Sequence, residues 1–297
     1  MLKIKPLDGP FGVEATGIDL AAGFDDGLMR ALVGALHEHR VLVIRGQTLT
    51  QAQYLAFGRQ WGEPIPHVLD HLRMPGYPEL MAVGNTEAKD AKDEVRNGAA
   101  FWHTDQSYEK VPSSATMLHA VKVPRTGGET LIADMAGAYD ALDEGMKARI
   151  EGLRALHFYG AGSGRDGEKI ASPLLNEQQT SRVPPVPHLL ARPHPVTGRK
   201  ALYAVAGTPY GIEGMAEAEA RDLLAALKRH ALQPRFIYKH QYRVGDINIY
   251  DTGMTLHSGV PIDMASGEDN SRLLWRISVR GRPKVCDTAA PQPAAAE

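Results

Sequence analysis

The chain has 297 residues, a formal net charge of −2 and an apolar fraction of 43%. This composition excludes a largely disordered chain, and the near-neutral charge gives no basic surface for nucleic acid. A small-molecule partner is therefore the better expectation, on a chain whose length fits one domain with insertions.

The cysteine count and the hydropathy of the chain indicate its cellular compartment. Cys286 is the single cysteine, which excludes an internal disulfide and any multi-thiolate metal site and fits a reducing environment. The first residues lack the pattern of a signal peptide, and no apolar run approaches the ~18 residues that span a bilayer. The sequence predicts a soluble, cytoplasmic protein that does not bind membranes and is open to homo-oligomerisation.

Strand and helix patterns alternate along the chain. Apolar residues at helical spacing predict helices, and runs of branched and aromatic residues that end in polar residues or glycine predict strands. The predicted helices are 27–39, 135–153 after a candidate N-cap at Asp134, and 218–232. The predicted strands are 41–46, 247–251 and 273–279. The mixture indicates a mainly β core with flanking helices.

Two polar segments interrupt these elements. Residues 84–98 are charged, and residues 160–188 are rich in glycine and proline. Such long connections in a compact domain are typical of lids or binding loops. We therefore expect a single domain over residues 1–285 with lid-like insertions near 84–98 and 160–188, followed by a C-terminal tail over 286–297.

One glycine pattern in the second insertion resembles a dinucleotide-binding loop. Gly162, Gly164 and Gly167 match G-x-G-x-x-G, but that motif requires a helix to follow at once. Pro173 interrupts the following segment, so we interpret the glycines as a flexible loop.

The stretch FWHTDQSY, residues 101–108, contains a histidine and an aspartate with one residue between them. In a strand, His103 and Asp105 would point to the same face, with Trp102 and Thr104 on the other. An imidazole nitrogen and a carboxylate oxygen on one face can ligate one metal ion. A structural hydrogen-bonded pair is the alternative, because H-x-D is a short pattern.

A second histidine would complete a facial triad of two histidines and one carboxylate, which leaves coordination positions open on iron. His257 is the candidate, because it lies in YDTGMTLHSG, where a strand, a turn and a second short strand would bring it to the edge of the β core. The other histidines considered have structural explanations on helices or among prolines: His37, His39, His188, His194 and His230.

Five motifs in one order resemble those of the taurine dioxygenase and 2,4-dichlorophenoxyacetate dioxygenase family of iron(II)- and 2-oxoglutarate-dependent enzymes. The motifs are WHTD at 102–105, GGET at 127–130, HPVTGRK at 194–200, the spacing of Asp251 and His257, and RLLWR at 272–276. The resemblance covers almost the whole chain. It implies a double-stranded β-helix, also called a jelly roll, with helices and long loops around it.

The resemblance also implies a set of site residues. His103, Asp105 and His257 match the iron ligands, and Thr130 and Arg272 match the groups that bind the far carboxylate of 2-oxoglutarate. Arg276 matches the arginine that faces the acidic end of the primary substrate, and His67 matches a substrate-contacting histidine. The implied cofactors are Fe(II) with 2-oxoglutarate and O2 as cosubstrates.

The two arginines also make sense from their chemistry. A guanidinium can hold a carboxylate by two parallel hydrogen bonds. The even spacing of Arg272 and Arg276 puts both on one face of a regular strand with Leu274 between them. If that face is the interior, two buried cations require two anionic partners, and we expect these to be 2-oxoglutarate and the substrate.

The expected reaction is hydroxylation of a small anionic organic substrate, which can lead to its cleavage. Asp105 keeps the carboxylate that related halogenases replace, which favours hydroxylation over halogenation. Ala99 stands where the taurine enzyme has an asparagine, so a larger acid such as an aryloxyalkanoate or an alkyl sulfonate is favoured. Candidate apolar walls of its pocket are Tyr108, Met117 and Trp275.

Two alternatives use the same residues. A zinc-dependent hydrolase could hold its metal on His103, Asp105 and His257 and activate water. A barrel that binds a small acid without catalysis would use the arginines but leave the histidine and aspartate cluster without a role.

Overall fold

The structure is a computed structural model that describes residues 1–159 and 175–287. The glycines of the G-x-G-x-x-G pattern, Pro173 and most of the predicted C-terminal tail lie outside the described residues.

Within these ranges the chain forms 17 strands and eight α-helices. The strands are β1 (Lys3–Pro6), β2 (Val13–Thr16), β3 (Val41–Ile44), β4 (Glu63–Pro64), β5 (Arg73–Met74), β6 (Tyr77–Gly84), β7 (Ala115–Lys122), β8 (Thr130–Asp134), β9 (Arg154–His157), β10 (Val186–Leu189), β11 (Ala191–Pro193), β12 (Lys200–Leu202), β13 (Pro209–Ile212), β14 (Ile237–His240), β15 (Ile247–Asp251), β16 (Thr255–Gly259) and β17 (Leu273–Arg280). The helices are α1 (Asp26–His39), α2 (Gln51–Trp61), α3 (Asp93–Arg96), α4 (Met135–Asp140), α5 (Glu144–Ile150), α6 (Glu177–Arg182), α7 (Glu217–Ala231) and α8 (Lys284–Asp287).

Two sheets enclose the centre of the protein. The larger sheet has the strand order β1-β2-β3-β15-β7-β17-β6-β5, with β4 paired to β17, and the smaller has the order β14-β8-β16. Their facing sides share one apolar cluster, in which Leu118, Tyr250 and Leu274 of the larger sheet meet Ile132 and Tyr238 of the smaller. Almost all pairings are antiparallel; β2 and β3 are parallel. This is the predicted jelly roll.

Helices cover the outer sides of both sheets. On the larger sheet, α1 and α2 bury Leu32 and Trp61 against Met117 and Ile277. On the smaller sheet, α4 and α7 bury residues such as Ala138 and Leu224. The site described below therefore lies on strands that are supported from outside, which limits the movement of its side chains.

Most predicted elements are confirmed. Helix α1 and helix α7 differ from prediction by one residue at an end, and β15 matches its predicted range. The helix predicted over 135–153 is divided in two: Asp134 caps α4 as expected, but the chain breaks after Asp140, and Asp143 caps α5 by accepting a hydrogen bond from the backbone N–H of Met146. A second capping residue was the signal for this break.

The predicted insertions contain short elements where they are described. Residues 84–98 form a 3₁₀ turn and α3, and Arg96 joins this segment to the 262 region by donating from Nε to the Ile262 carbonyl at 2.8 Å. The described part of the second insertion holds α6 and the start of β10. The first residues of the predicted tail belong to α8. Among the described helices, none combines the length and the apolar character needed to cross a bilayer.

Candidate active site

His103 and His257 lie side by side through a two-way backbone pairing. The N–H of each donates to the carbonyl of the other at 2.9 Å, and the ring centroids are 4.1 Å apart. His257 lies on β16, which follows β15 and a short turn as predicted. The expectation of a strand through WHTD was wrong, because pairing stops after His103 and the chain turns at Asp105. The turn still brings the carboxylate back to the two imidazoles.

The three predicted ligands converge. Asp105 Oδ1 is 3.7 Å from His103 Nε2, and Asp105 Oδ2 is 3.6 Å from His257 Nε2. One ligand atom from each residue lies within 4.8 Å of the others. His103 Nδ1 is 2.7 Å from the Phe101 carbonyl oxygen, which can only accept, so Nδ1 carries the proton and Nε2 keeps its lone pair for a metal. Burial, with the nearby His103, lowers the pKa of His257 to about 3 and keeps it neutral.

Asp105 is held from several sides. Thr116 Oγ1 donates to its Oδ2 at 2.8 Å, the Tyr250 hydroxyl donates to the same oxygen at 3.4 Å, and Arg276 Nη2 is 2.7 Å from Oδ1. Burial by itself would raise the pKa of this carboxyl, but the positive charge of Arg276 and the neighbouring His257 hold it well below its usual range. The carboxylate is therefore ionised and oriented, as a metal ligand needs to be.

Gly207 allows this arrangement. Its φ of +89° is in the left-handed region, and a Cβ at this position would lie 2.7 Å from His103 Cβ and 3.1 Å from the Trp102 carbonyl oxygen. A side chain here would displace the histidine, so the close approach requires glycine.

A second trio of similar composition has the opposite hydrogen bonding. His194, in the HPVTGRK motif, lies near His37 and Asp251. Its Nδ1 accepts from the backbone N–H groups of Val196 and Thr197 at 3.3 and 3.1 Å. The ring proton must then be on Nε2, which donates to Asp251 Oδ2 at 3.1 Å. The second trio is thus a hydrogen-bonded support for the turn that precedes β16, whereas the first presents free lone pairs.

Arg272 is a buried cation with no anion beside it in the described part of the chain. It is 5% exposed, and its Nε has no hydrogen-bond partner among the described residues. No ion pair links it to a carboxylate among residues 1–159 and 175–287; Glu129, the acid that acts on it from a distance, is bonded to Lys239 at 3.5 Å. Burial lowers the pKa of Arg272. A buried, unpaired guanidinium is costly unless a ligand supplies the anion.

The GGET motif places Thr130 next to this arginine. Gly128 has a φ of +70°, and a Cβ there would lie 3.1 Å from both Arg272 Cδ and Pro124 Cγ. The turn therefore packs directly on the arginine side chain and starts β8 at Thr130, whose hydroxyl is 2.9 Å from the hydroxyl of Tyr242. Thr130 and Arg272 line the same pocket as the three converging ligands.

Asn85 holds the backbone of Arg272 in place. Its Oδ1 accepts from the Arg272 N–H at 2.7 Å, and its Nδ2 donates to the carbonyls of Asp263 and Asn270, each at 2.8 Å. Asn85 is 1% exposed, so these bonds use most of the hydrogen-bonding capacity of its amide. The sequence analysis missed this residue, which lies at the start of a predicted loop and carries no motif.

Arg276 lies on β17 and faces the same pocket as Arg272, as its spacing predicts. The expectation about its charge was wrong, because Asp105 already supplies an anionic partner at 2.7 Å. Substrate charge is thus not required to balance Arg276. A guanidinium has five N–H donors, however, so one contact with Asp105 leaves others available.

His67 lines the pocket as a neutral hydrogen-bond donor. Its Nδ1 accepts from the Leu69 N–H at 3.1 Å, so the ring proton is on Nε2. Burial and the charge of Arg276 lower the pKa of His67 to about 3.

The wall beyond these polar groups is apolar. Eight apolar or aromatic residues line it, six of which pack in one cluster: Leu69, Leu72, Met81, Val95, Tyr108 and Tyr159, with Val83 and Phe101 beside them. Of the three wall residues expected from sequence, Tyr108 lines the pocket. Met117 and Trp275 instead pack on the opposite side of the larger sheet with Tyr54 and Ile277, because adjacent strand residues face opposite sides.

Comparisons with known proteins identify the family of the chain. Residues 3–278 match the model of a family described as taurine catabolism dioxygenase TauD, TfdA family. The chain belongs to this dioxygenase family. An alpha-ketoglutarate-dependent 2,4-dichlorophenoxyacetate dioxygenase of Cupriavidus pinatubonensis is 35% identical over 278 residues, covering 90% of this chain and 95% of the relative.

Two further proteins are similar to this chain over nearly their whole length. An (S)-phenoxypropionate/alpha-ketoglutarate-dioxygenase of Sphingobium herbicidovorans is 34% identical, covering 94% of this chain and 95% of the relative. The crystal structure of AAD-2 in complex with Mn(II) and N-oxalylglycine has a TM-score of 0.76 and 30% identity, covering 95% of this chain and 98% of that one.

Family membership confirms the expected enzyme class. The protein is an iron(II)- and 2-oxoglutarate-dependent dioxygenase, with O2 as the second cosubstrate. The zinc hydrolase and the non-catalytic binding barrel, which the residues alone left open, lose their support.

Proposed function

We propose that His103, Asp105 and His257 hold iron(II) and that Thr130 and Arg272 bind the far carboxylate of 2-oxoglutarate. The observation that carries this proposal is the buried guanidinium of Arg272, which has no ion-pair partner among the described residues and lines one pocket with the three converging ligands. Two imidazole nitrogens and one carboxylate suit iron(II), and a dicarboxylate can supply an anion for Arg272.

Iron(II), when bound, supplies the reaction in which O2 and 2-oxoglutarate yield succinate and carbon dioxide and one oxygen atom is inserted into a substrate C–H bond. The protein residues orient the metal ligands and shield the site from water. Phe101 fixes the tautomer of His103 through its carbonyl, and Thr116 and Tyr250 fix the carboxylate of Asp105. The apolar wall limits the entry of water around the reacting carbon.

The proposed primary substrate is a small acid with an apolar body, of the aryloxyalkanoate type. Arg276 would bind its carboxylate with donors that the contact to Asp105 does not use, and His67 would donate from Nε2 to an acceptor such as an ether oxygen. The apolar wall from Leu69 to Tyr159 suits an aromatic ring and offers little to a compact zwitterion such as taurine. Two of the relatives named above act on phenoxy acids, which adds support.

Hydroxylation of the carbon next to an ether oxygen gives a hemiacetal, which breaks down to a phenol and a carbonyl acid. Phenoxyacetate should therefore yield phenol and glyoxylate, with one succinate per O2 consumed. The test compares phenoxyacetate with its neutral methyl ester and with taurine, by measuring succinate, phenol and O2. Preference for taurine, or equal turnover of acid and ester, would contradict the proposed substrate class.

The proposal also covers the cellular location, the domain organisation and the oligomeric state. The single cysteine fits a cytoplasmic location. Residues 1–285 are proposed to form one dioxygenase domain with insertions near 84–98 and 160–188. Assembly into a homo-oligomer stays a prediction, which sedimentation velocity can test.

A further inference from the structure

The hydroxyl of Thr130 has a single proton and two neighbours that could receive it. One is the Tyr242 hydroxyl at 2.9 Å, and the other is the cosubstrate carboxylate proposed above. If Thr130 donates to Tyr242, it presents a lone pair to an anion, which repels it. If Tyr242 donates to Thr130, the threonine proton is available for the carboxylate. The direction of this one bond therefore decides whether Thr130 helps or hinders binding.

A third residue acts on that direction. Asn248 on β15 donates from Nδ2 to the Tyr242 hydroxyl oxygen at 3.4 Å. With an N–H directed at its oxygen, Tyr242 uses its own O–H as a donor, and Thr130 is the acceptor within reach. Burial raises the pKa of Tyr242, so the phenol keeps its proton at neutral pH.

The buried amide of Asn248 is not needed for packing. Asn248 is fully buried in the middle of the larger sheet, Tyr242 is 5% exposed and Thr130 is 2% exposed. Within the ranges that the structure describes, Asn248 Oδ1 has no hydrogen-bond partner, which is a cost that a leucine of similar volume would avoid. A role for the amide outside folding explains why a polar residue occupies this interior position.

We infer that Asn248 and Tyr242 are positioning residues that make Thr130 a hydrogen-bond donor toward the cosubstrate carboxylate. The chain of donors runs from the Asn248 amide to the Tyr242 hydroxyl and from there to the Thr130 hydroxyl, and each bond polarises the next. This inference rests on the role of Thr130 proposed above and adds two residues, on β15 and in the loop before it, to the cosubstrate site.

The test is a double-mutant cycle on binding rather than on turnover. Isothermal titration calorimetry would measure the affinity of the Mn(II)-loaded protein for N-oxalylglycine, an analogue of 2-oxoglutarate. Tyr242→Phe keeps the ring but removes the donor that orients and polarises the Thr130 hydroxyl, and should weaken binding about two- to fivefold, a part of the worth of one hydrogen bond. In a Thr130→Val background the same change should cost nothing, because the hydroxyl through which Tyr242 acts is gone.

Two further variants separate positioning from general damage. Thr130→Ser keeps the hydroxyl, so it should bind nearly as the parent does and remain sensitive to Tyr242→Phe. Tyr238→Phe is the matched control, because Tyr238 is a buried tyrosine on β14 whose hydroxyl is bonded to His240 Nδ1 at 3.0 Å instead of to Thr130. It should leave the affinity unchanged. Asn248→Leu should weaken binding about two- to fivefold, and only while Tyr242 is present.

In turnover, Tyr242→Phe should raise the KM for 2-oxoglutarate and leave the KM for the primary substrate unchanged, a split that a general loss of stability would not produce. An equal cost of Tyr242→Phe in the parent and in Thr130→Val, or no cost in the parent, would overturn the inference while Thr130 keeps its proposed role. Unchanged affinity in both Thr130→Val and Arg272→Leu would instead overturn the proposed cosubstrate site itself.

Discussion

Replacement of Arg272 by leucine should have opposite effects on cosubstrate binding and on the stability of the cosubstrate-free protein. In the folded protein the guanidinium is 5% exposed, and it forms no ion pair within the described part of the chain. Leucine removes this buried charge and leaves no carboxylate without its partner. The free energy of unfolding of the cosubstrate-free variant should therefore equal or exceed that of the parent.

Cosubstrate binding should suffer, because a buried carboxylate would lose its charge-assisted partner. The cost of ~3–5 kcal/mol that follows from breaking a buried ion pair corresponds to roughly a hundred- to several-thousand-fold weaker binding. At a ligand concentration of about 100 times the parent Kd, binding stabilises the parent by ~2.7 kcal/mol, whereas a variant with hundredfold weaker affinity gains only about 0.4 kcal/mol.

Thermal unfolding with and without N-oxalylglycine, at fixed Mn(II), measures both effects. At about 2 °C per kcal/mol for a chain of this size, a ligand-induced rise in Tm of about 5 °C should shrink to about 1 °C, while the Tm without ligand stays the same or increases. Arg280→Leu is the control at the far end of β17, the strand that follows Arg272, because Arg280 is bonded to Glu63 at 2.8 Å outside the pocket. An unchanged ligand-induced shift in Arg272→Leu would refute the reasoning.

Three further predictions concern the metal ligands and the substrate side. His257→Ala removes one of three proposed ligands, so the metal content after equilibrium dialysis against iron(II) should fall to background while the circular dichroism spectrum is retained; near-normal metal content would exclude the assignment. Gly207→Ala should weaken metal binding by about ten- to a hundredfold, because a Cβ would displace His103. An unchanged affinity would mean that the loop around residue 207 moves away and does not position His103. Arg276→Leu should lower turnover of phenoxyacetate by about ten- to a hundredfold more than turnover of the methyl ester, the worth of a hydrogen bond to a charged group. Loss of the contact to Asp105 affects both substrates alike, so equal losses for acid and ester would show that Arg276 does not bind the acid.

Much of the fold could be predicted from local pattern. Apolar spacing predicted α1 and α7 within one residue at each end, because each helix buries one face along its length. Branched and aromatic residues predicted β15, which is buried on both faces. The break between α4 and α5 was missed because apolar periodicity continues across it, although Asp143 carries the cap that starts the second helix. The partners of each strand in the two sheets depend on residues far apart in the chain, and no local pattern specifies them.

The sequence by itself determined which residues meet at the site. The family resemblance selected seven residues, and all of them line one pocket: His67, His103, Asp105, Thr130, His257, Arg272 and Arg276. Motifs can select such residues because metal and anion binding require particular side chains at particular spacings.

Only the tertiary structure decided how those residues are used. The hydrogen bond at Nδ1 decides the role of each imidazole. His103 donates from Nδ1 and keeps Nε2 available for a metal, whereas His194 accepts at Nδ1 and donates from Nε2. Distances between residues far apart in the chain show that Arg276 is paired with Asp105, whereas Arg272 forms no ion pair within residues 1–159 and 175–287. No motif contains Asn85, Tyr242 or Asn248. Asn85 bonds to Arg272 and Tyr242 bonds to Thr130, and each pair is more than 100 positions apart in the chain. Asn248 reaches Tyr242 because the chain turns between them. Protonation, charge pairing and support from neighbouring side chains depend on three-dimensional proximity, which chain order alone does not encode.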